Sequence, residues 1–463
     1  MTFSAKKFIG NKAFYRHTLA IALPIMIQNG ITNFVSMLDN IMVGRIGTEQ
    51  MSGVAITNQL IFIFNLCVFG ATAGAGIFTA QYYGEDNHEG IRHTLRFKLI
   101  IGLMVTALAF AIFLIFGDNL IMAYLAGNSD GGDMIAAFWY AKDYLVIMLI
   151  GFIPFMVLQS YSGTLRECNE TVLPMKAGFV AVAVNLILNY LLIYGSLGFP
   201  CLGVKGAAIA TVTARFVETG IVMVWLHRHK KEHPYIKGLF RSLRVPWNLF
   251  KKFLAKAVSL LFNEGLWAGG MAMLSLSYST RGLNTISGIN IANTLFNVFS
   301  VVFIALGSAI SIIVGQLLGA GRFKEAKDTD TKLIAFAVMS CTVLAFVLAG
   351  FAPFFPNIYN TTPEAREIAA HFLIAQAFSM PIAALMNAEY FTLRSGGKTI
   401  LTLVFDSVFM WCLSVPVALI VAKLTNVPAV VIYIAVQGVE IVKCIVGAIM
   451  VKKGIWIQNI VKQ

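Results

Sequence analysis

The chain has 463 residues, 58% of them hydrophobic and only 12% charged, where a soluble domain would carry about 25% charged residues. The net charge of +13 invites a nucleic-acid reading, but the basic residues lie between apolar runs rather than in one patch. Six scattered cysteines without a CxxC pair, no GxxxxGK[ST] loop and no HExxH motif argue against a disulfide scaffold, direct ATP drive and a zinc enzyme.

Apolar runs of about 20 residues, each able to cross a bilayer core of about 30 Å, recur along the whole chain. Twelve are expected, at 17–43, 52–82, 95–117, 136–163, 172–195, 204–227, 253–279, 286–318, 331–355, 366–393, 399–422 and 428–450. They are continuously apolar rather than alternating, which excludes a transmembrane β-barrel. The expected fold class is an all-α membrane protein, twelve transmembrane helices in two six-helix bundles.

The start, Met1-Thr2-Phe3-Ser4-Ala5-Lys6-Lys7, has no small-residue cleavage site, so no signal peptide is expected. The first span carries Asp39. A carboxylate at the centre of a membrane helix costs about 2.5–3.5 kcal/mol, so it marks an ion or substrate path. Asn29, Asn33, Ser36 and Asn40 recur at i, i+4, i+7 and i+11. At about 100° per residue they form a polar stripe that must face a neighbour or a cavity. The second span closes on Gln81-Tyr82-Tyr83-Gly84.

Asn185 and Asn189 share one face of the fifth span. Side-chain amides bond a carboxylate or offer carbonyl oxygens to a cation. The sixth span adds Thr211 and Thr213, with Arg215 and Glu218 spaced for an i, i+3 ion pair. The polar stretch from His227 through Lys252 then reads as a linker. The expected domains are an N-terminal lobe (1–227), a cytoplasmic linker (228–252) and a C-terminal lobe (253–463).

In the second half, Glu264 repeats the situation of Asp39 at a shallower depth. The eighth span closes on Gly315-Gln316-Leu317-Leu318-Gly319-Ala320. Glu389 lies five residues before Arg394 in the tenth span, and Asp406 and Glu440 lie in the last two. For those two acids, pairing and function both stay open. With the N-terminus inside, inside segments hold 27 Lys and Arg and outside loops six, while Arg215 and Lys443 fall within spans. That asymmetry puts both termini in the cytoplasm and the chain in the cell membrane.

The halves resemble each other at a shift of 235. Gly47, Ser52 and Gly53 answer Gly282, Ser287 and Gly288; Asn58 answers Asn293, Gln81 answers Gln316, and Gly84 answers Gly319. Later the shift is 228, where Thr164-Leu165-Arg166 answers Thr392-Leu393-Arg394. Six spans is an even number, so the repeats run parallel, and a site is expected between or within the bundles near mid-membrane. The acids break the repeat: Asp39 falls opposite Leu274, and Glu264 opposite Asn29. Such asymmetric positions are better candidates for chemistry than the shared scaffold.

These residues resemble the multidrug and toxic compound extrusion (MATE) family, in its NorM/DinF-like branches, over essentially the whole chain. The likeness rests on Leu23-Pro24, on Asp39 with Val43-Gly44, and on the endings of spans two and eight. Its most specific part is Asn185 through Gly195, followed by Gly203-Val204-Lys205-Gly206. The resemblance implies Na⁺- or H⁺-coupled export of organic cations, amphipathic drugs or metabolites. It implies a cation site, for H⁺ or Na⁺, at Asp39, Asn185, Asn189 and Thr211, with Glu264 as the acid of the second lobe. Two departures stand out. The helix 10 acid of NorM-like members falls near Ala383 here, and the second polar residue of span five, Asp in some relatives, is Asn189.

The expected mechanism is a rocker switch in which an entering cation neutralises Asp39 and releases cargo. Reciprocal linkage makes cation and cargo weaken each other's binding. Asn29, Asn33, Ser36, Gln81 and Gln316 are expected as cavity-lining polar residues. No catalytic residue and no cofactor beyond the coupling ion is expected. The expected partners are a small organic molecule and the bilayer, with no nucleic acid, and the protein is expected to act as a monomer. The alternatives are a flippase or narrow-substrate exporter of a lipid-linked or metabolite cargo, of which the flippase should line its cavity with several Arg or Lys to hold a pyrophosphate, and a channel or membrane enzyme. No ring of repeated polar residues or nucleophile–base pair speaks for the last two.

Overall fold

A computed structural model describes residues 8–126 and 133–462, without the side chains of Ser36, Met37, Ala126 and Leu283. Among the described residues the regular structure is entirely helical. The helices are α1 (Lys12–Gly44), α2 (Thr48–Gly84), α3 (His88–Ala126), α4 (Met134–Ile150), α5 (Phe152–Glu167), α6 (Val172–Tyr194) and α7 (Val204–Arg228). After the linker come α8 (Trp247–Ser279), α9 (Leu283–Gly319), α10 (Phe323–Phe351), α11 (Pro363–Ser395), α12 (Thr399–Leu403), α13 (Val415–Leu424) and α14 (Ala429–Lys453).

Among the described residues ten helices are long and apolar enough to cross a membrane, with Thr399–Leu424 counted as one of them. The pair α4 and α5 makes an eleventh, bent by 47° at Gly151, which links the two helices. The remaining expected span, 253–279, lies in α8. At 33 residues it is about 50 Å long, but Asn263, Glu264 and Gly265 make it more polar than the others. Between α12 and α13 the chain stays helical through two π-helical segments, Val404–Val408 and Met410–Ser414.

The repeat is visible in the backbone. After α2 the turn closes with Glu85 N on Gln81 O, Asp86 N on Tyr83 O and Asn87 N on Tyr82 O. After α9 the same three bonds recur 235 residues on, from Ala320, Gly321 and Arg322. The left-handed residues Asp86 and Gly321 match at that shift, and Asn169 and Gly397 match at 228.

Two compact units make up the chain. One contains residues 27–79 and 88–261, the other 1–26, 80–87 and 262–463. The cuts fall inside α1, α2 and α8 rather than at the 228–252 linker, and the packing gives the reason. The early part of α1 places Ile21, Ala22 and Ile25 in one core with Ala305, Leu306 and Ala309 of α9. The early part of α8 lies on α2, where a Cβ on Gly74 would come within 2.3 Å of the Ala257 backbone. Small residues let the two backbones meet this closely.

In the first unit, Phe64 stacks on Phe152 at 3.8 Å between ring centres, at the heart of the α2–α4–α5–α7 core. The linker folds back onto α3. Arg92 donates to Tyr235 O at 3.1 Å, and Arg96 to Leu239 O and Gly238 O at 3.0 and 2.7 Å. Two basic residues of α3 thus fasten the linker.

In the second unit the ends of α2 and α9 cross reciprocally. A Cβ on Gly84 would lie 1.9 Å from Gln316 O, and one on Gly319 would lie 1.9 Å from Gln81 O. Only glycine leaves room for such a crossing. The segment after α14 closes over it. Trp456 is fully buried, Asn459 donates to Gly319 O at 2.9 Å, and Ile460 N donates to Gln81 Oε1 at 2.9 Å.

Candidate functional site

Three helices of the first unit bring Asp39, Asn185, Asn189 and Thr211 into one chain of hydrogen bonds. Asn189, fully buried on α6, donates from Nδ2 to Asp39 Oδ1 on α1 and also to Asn185 Oδ1, one turn back, at 3.1 Å. Asn185 Nδ2 then donates to Thr211 Oγ1 on α7 at 3.2 Å. The i, i+4 spacing makes this possible, because it stacks the two amides on the face of α6 turned toward α1 and α7.

Both amide hydrogens of Asn189 are used, whereas its carbonyl oxygen Oδ1 is buried with no hydrogen-bond partner. A carboxylate and a neighbouring unengaged amide carbonyl are hard oxygen donors, which fits a monovalent cation or a proton-bearing group. Among the described residues no group of three His, Cys, Asp or Glu is placed to hold a metal ion.

Two residues that the sequence reading did not assign to the site join it. The Tyr144 hydroxyl of α4 reaches Thr211, and Tyr144 feels the charges of Asp39 and Arg215. Arg215 lies over the Phe155 ring at 5.1 Å. Glu218 has Arg166 ahead of Arg215 as its charged neighbour. The expected Arg215–Glu218 ion pair is not formed within 4 Å: Glu218 feels both arginines only by charge, Arg215 Nη1 is buried without a hydrogen-bond partner, and Arg166 donates to Gln28 Oε1 on α1.

The cavity-lining expectations divide. Asn29 is half-buried and Asn33 exposed on α1, while the Ser36 side chain lies outside the described residues. Gln81 is fully buried, and its amide serves Ser395 O, Gln458 O and Ile460 N. It therefore holds the ends of α2 and α11 and the final segment together rather than lining a cavity. Gln316, at the matching crossing, is half-buried. A cavity of about 950 Å³ lined by residues of α11 and α14, among them His371, Phe378 and Gln437, contains none of these residues.

Glu264 stands in a different setting, within electrostatic range of Arg394 and Asp406. Its neighbour Asn263 is the hub, donating to Asp406 Oδ2 at 3.2 Å and to the Tyr390 hydroxyl at 3.3 Å. Ser407 donates to Asn263 Oδ1 at 2.8 Å. Asp406 also meets Lys443 Nζ at 2.9 Å, and Glu440 lies 3.6 Å from the same ammonium. Ala383, where an acid was sought, supplies no oxygen from its side chain. The pairing of Asp406 and Glu440, left open by the sequence, is thus with Lys443.

Comparison with known proteins gives a consistent result. The family model described as MatE matches residues 24–191 and 262–420. A probable multidrug resistance protein NorM of Thermotoga maritima is 24% identical over 419 residues, covering 88% of this chain and 86% of its own. The multidrug resistance protein MdtK of Yersinia enterocolitica is 26% identical over 372 residues, 78% of each chain. Among solved structures, a variant of the Vibrio cholerae MATE transporter VcmN superposes with a TM-score of 0.84 at 16% identity, over 97% of this chain and 99% of that one. A MOP-superfamily transporter from Pyrococcus furiosus superposes with a TM-score of 0.83 at 18% identity, over 98% of both chains.

Proposed function

The chain belongs to the MatE family of multi-pass membrane transporters, and from that premise we propose that it is an antiporter that exports small organic molecules in exchange for Na⁺ or H⁺. The cargo is organic cations, other amphipathic compounds or metabolites, the membrane is the cell membrane, and both termini are cytoplasmic. The protein acts as a monomer and needs no cofactor beyond the coupling ion.

One observation carries this reading: the hydrogen-bonded chain from Asp39 through Asn189 and Asn185 to Thr211. It links the carboxylate of α1 to α6 and α7 by donors that favour its charged form. A cation arriving at Asp39 competes with the Asn189 hydrogen bond and removes the reason for α1 to hold that position against α6. Cargo and cation then report on one packing equilibrium and oppose each other. For Na⁺ the carbonyl of Asn189 supplies a second oxygen; for H⁺ the carboxyl alone suffices.

The flippase alternative wants several uncommitted cations for a pyrophosphate. Lys98 is buried against Glu167 and Thr164, Arg166 donates to Gln28, and buried Arg96 donates to linker carbonyls, so these three interior cations already have partners. That favours the antiporter.

Proteoliposomes loaded with ethidium and given an inward Na⁺ or H⁺ gradient test the reading. Gradient-driven efflux supports it, and the gradient that works names the ion. No efflux under either gradient, from protein shown to be folded, would move the assignment to a narrow-substrate exporter or flippase.

A further inference from the structure

Each half of the chain closes with a helix of 25 residues, α7 and α14. At the same two places in each helix, the twelfth and fifteenth residues, stand opposite charges: Arg215 and Glu218 in α7, Glu440 and Lys443 in α14. The order is reversed between the halves. In α14 the cation therefore sits one turn further along, and what surrounds it there is a group of carboxylates.

Lys443 is 4% exposed. Its ammonium meets Asp406 Oδ1 at 2.9 Å and Glu440 Oε2 at 3.6 Å, and it lies over the Phe405 ring at 5.3 Å. Ser414 and Asn263 hold the outer oxygens of the two acids, at 2.6 and 3.2 Å. Glu389, 1% exposed, has neither carboxylate oxygen hydrogen-bonded. It packs beside Gly447, one turn beyond Lys443 and next to Phe405, and its foremost charged neighbour is Lys443. Asp330, 1% exposed and bonded to Thr392, is the next. Three interior carboxylates, Asp406, Glu440 and Glu389, thus gather around the single ammonium of Lys443. An interior of low dielectric does not hold such a cluster of carboxylates without a counter-ion close by, and Lys443 is that counter-ion.

We propose that the Lys443 ammonium is a tethered cation that fills the place of an exchangeable one between Asp406, Glu440 and Glu389, so that the C-terminal half takes up no Na⁺ of its own. Lysine suits this role, because a compact ammonium on a flexible stem is close to a hydrated monovalent ion in charge and donor geometry. Fixing it on α14 makes the site permanently filled and leaves exchange to the other half. This goes beyond the reading of Asp39 and does not depend on it.

The test uses purified full-length protein at pH 8.5, where protons compete least. Thermal unfolding in NaCl is compared with equal choline chloride, always on an Asp39→Asn background so that the first unit contributes no Na⁺ response. With Lys443 present, Na⁺ gives no stabilisation over choline. Lys443→Gln exposes the carboxylates and gains a Na⁺-specific rise in Tm of about 2–4 °C. Lys443→Arg keeps the tethered charge and gains none, and adding Asp406→Asn to Lys443→Gln abolishes the gain. Na⁺-specific stabilisation with Lys443 in place, removed by Asp406→Asn, would overturn the proposal, as would no gain in Lys443→Gln. If Lys443→Gln is recovered folded in Na⁺ but not in choline, that supports it. If it is recovered in neither, the combination with Asp406→Asn decides: recovery of that protein supports the proposal, and its failure contradicts it.

Discussion

Asn189 spends both of its amide hydrogens on oxygen atoms of Asp39 and Asn185, and leaves its own carbonyl oxygen buried without a partner. A buried donor set satisfied on one side and open on the other is poised to respond when charge or a cation changes at Asp39. A hydrogen bond to a charged group contributes about 1.5–3 kcal/mol, enough to bias a two-state equilibrium by one to two orders of magnitude.

Asn189→Leu removes that bond at nearly constant volume. Gradient-driven efflux in proteoliposomes should fall about tenfold or more. Asn189→Asp restores oxygen donors and adds a charge, so Na⁺ should drive efflux at lower concentration than in the parent. Equal efflux in parent and Asn189→Leu would show that the amide is packing only.

The crossing of α2 and α9 predicts a sharp contrast among glycines. Gly84→Ala and Gly319→Ala each place a methyl group 1.9 Å from a backbone carbonyl oxygen, so the helices must separate. The loss should be about 1–3 kcal/mol or more, read as a fall in Tm in detergent. Gly220→Ala in α7 meets nothing within 4 Å and should stay within about 0.5 kcal/mol of the parent.

The segment after α14 is structural on the same grounds. Trp456→Ala empties a fully buried site and should cost about 3–5 kcal/mol. Asn459→Ala frees the carbonyls of Leu318 and Gly319 and should cost about 1–3 kcal/mol. Thermal unfolding of the two variants measures both.

The linker carries a pH dependence. Burial holds His233 below the ordinary histidine range, with Glu170 and Glu232 pulling the other way and His229 adding to the burial effect. A base whose folded pKa is lowered gives stability that is complete above about pH 6.5 and is lost as pH falls through the lowered value. Limited proteolysis at Lys230 and Lys231 should therefore quicken on acidification from neutral pH, and His233→Phe should remove most of that change. A cleavage rate independent of pH would remove His233 from the docking of the linker.

Much of this was legible in the sequence. Hydropathy marks the spans, because every backbone group inside a bilayer must be satisfied within its own segment. The pair Asn185 and Asn189 was legible because one helix fixes their spacing, and Asp39 because a membrane acid is costly. What stayed hidden depends on different helices meeting. Tyr144 has no motif that points to Thr211. Asp406 and Lys443 lie 37 residues apart, so spacing offers no hint of their bond, and the π-helical turns that hold Asp406 leave no composition signal. The placing of the early parts of α1 and α8 in different compact units likewise rests on close contacts that no local pattern records.

The most direct measurement compares Asp39→Asn with the parent in two modes of the same proteoliposome assay. Without a gradient, labelled cargo exchanges for unlabelled cargo; with an imposed Na⁺ or H⁺ gradient, cargo moves uphill. The account predicts that Asp39→Asn keeps cargo exchange and loses uphill movement, because the carboxylate couples the ion and is not needed for cargo to cross. Uphill movement at parental rate in Asp39→Asn would contradict it and put the coupling elsewhere in the chain.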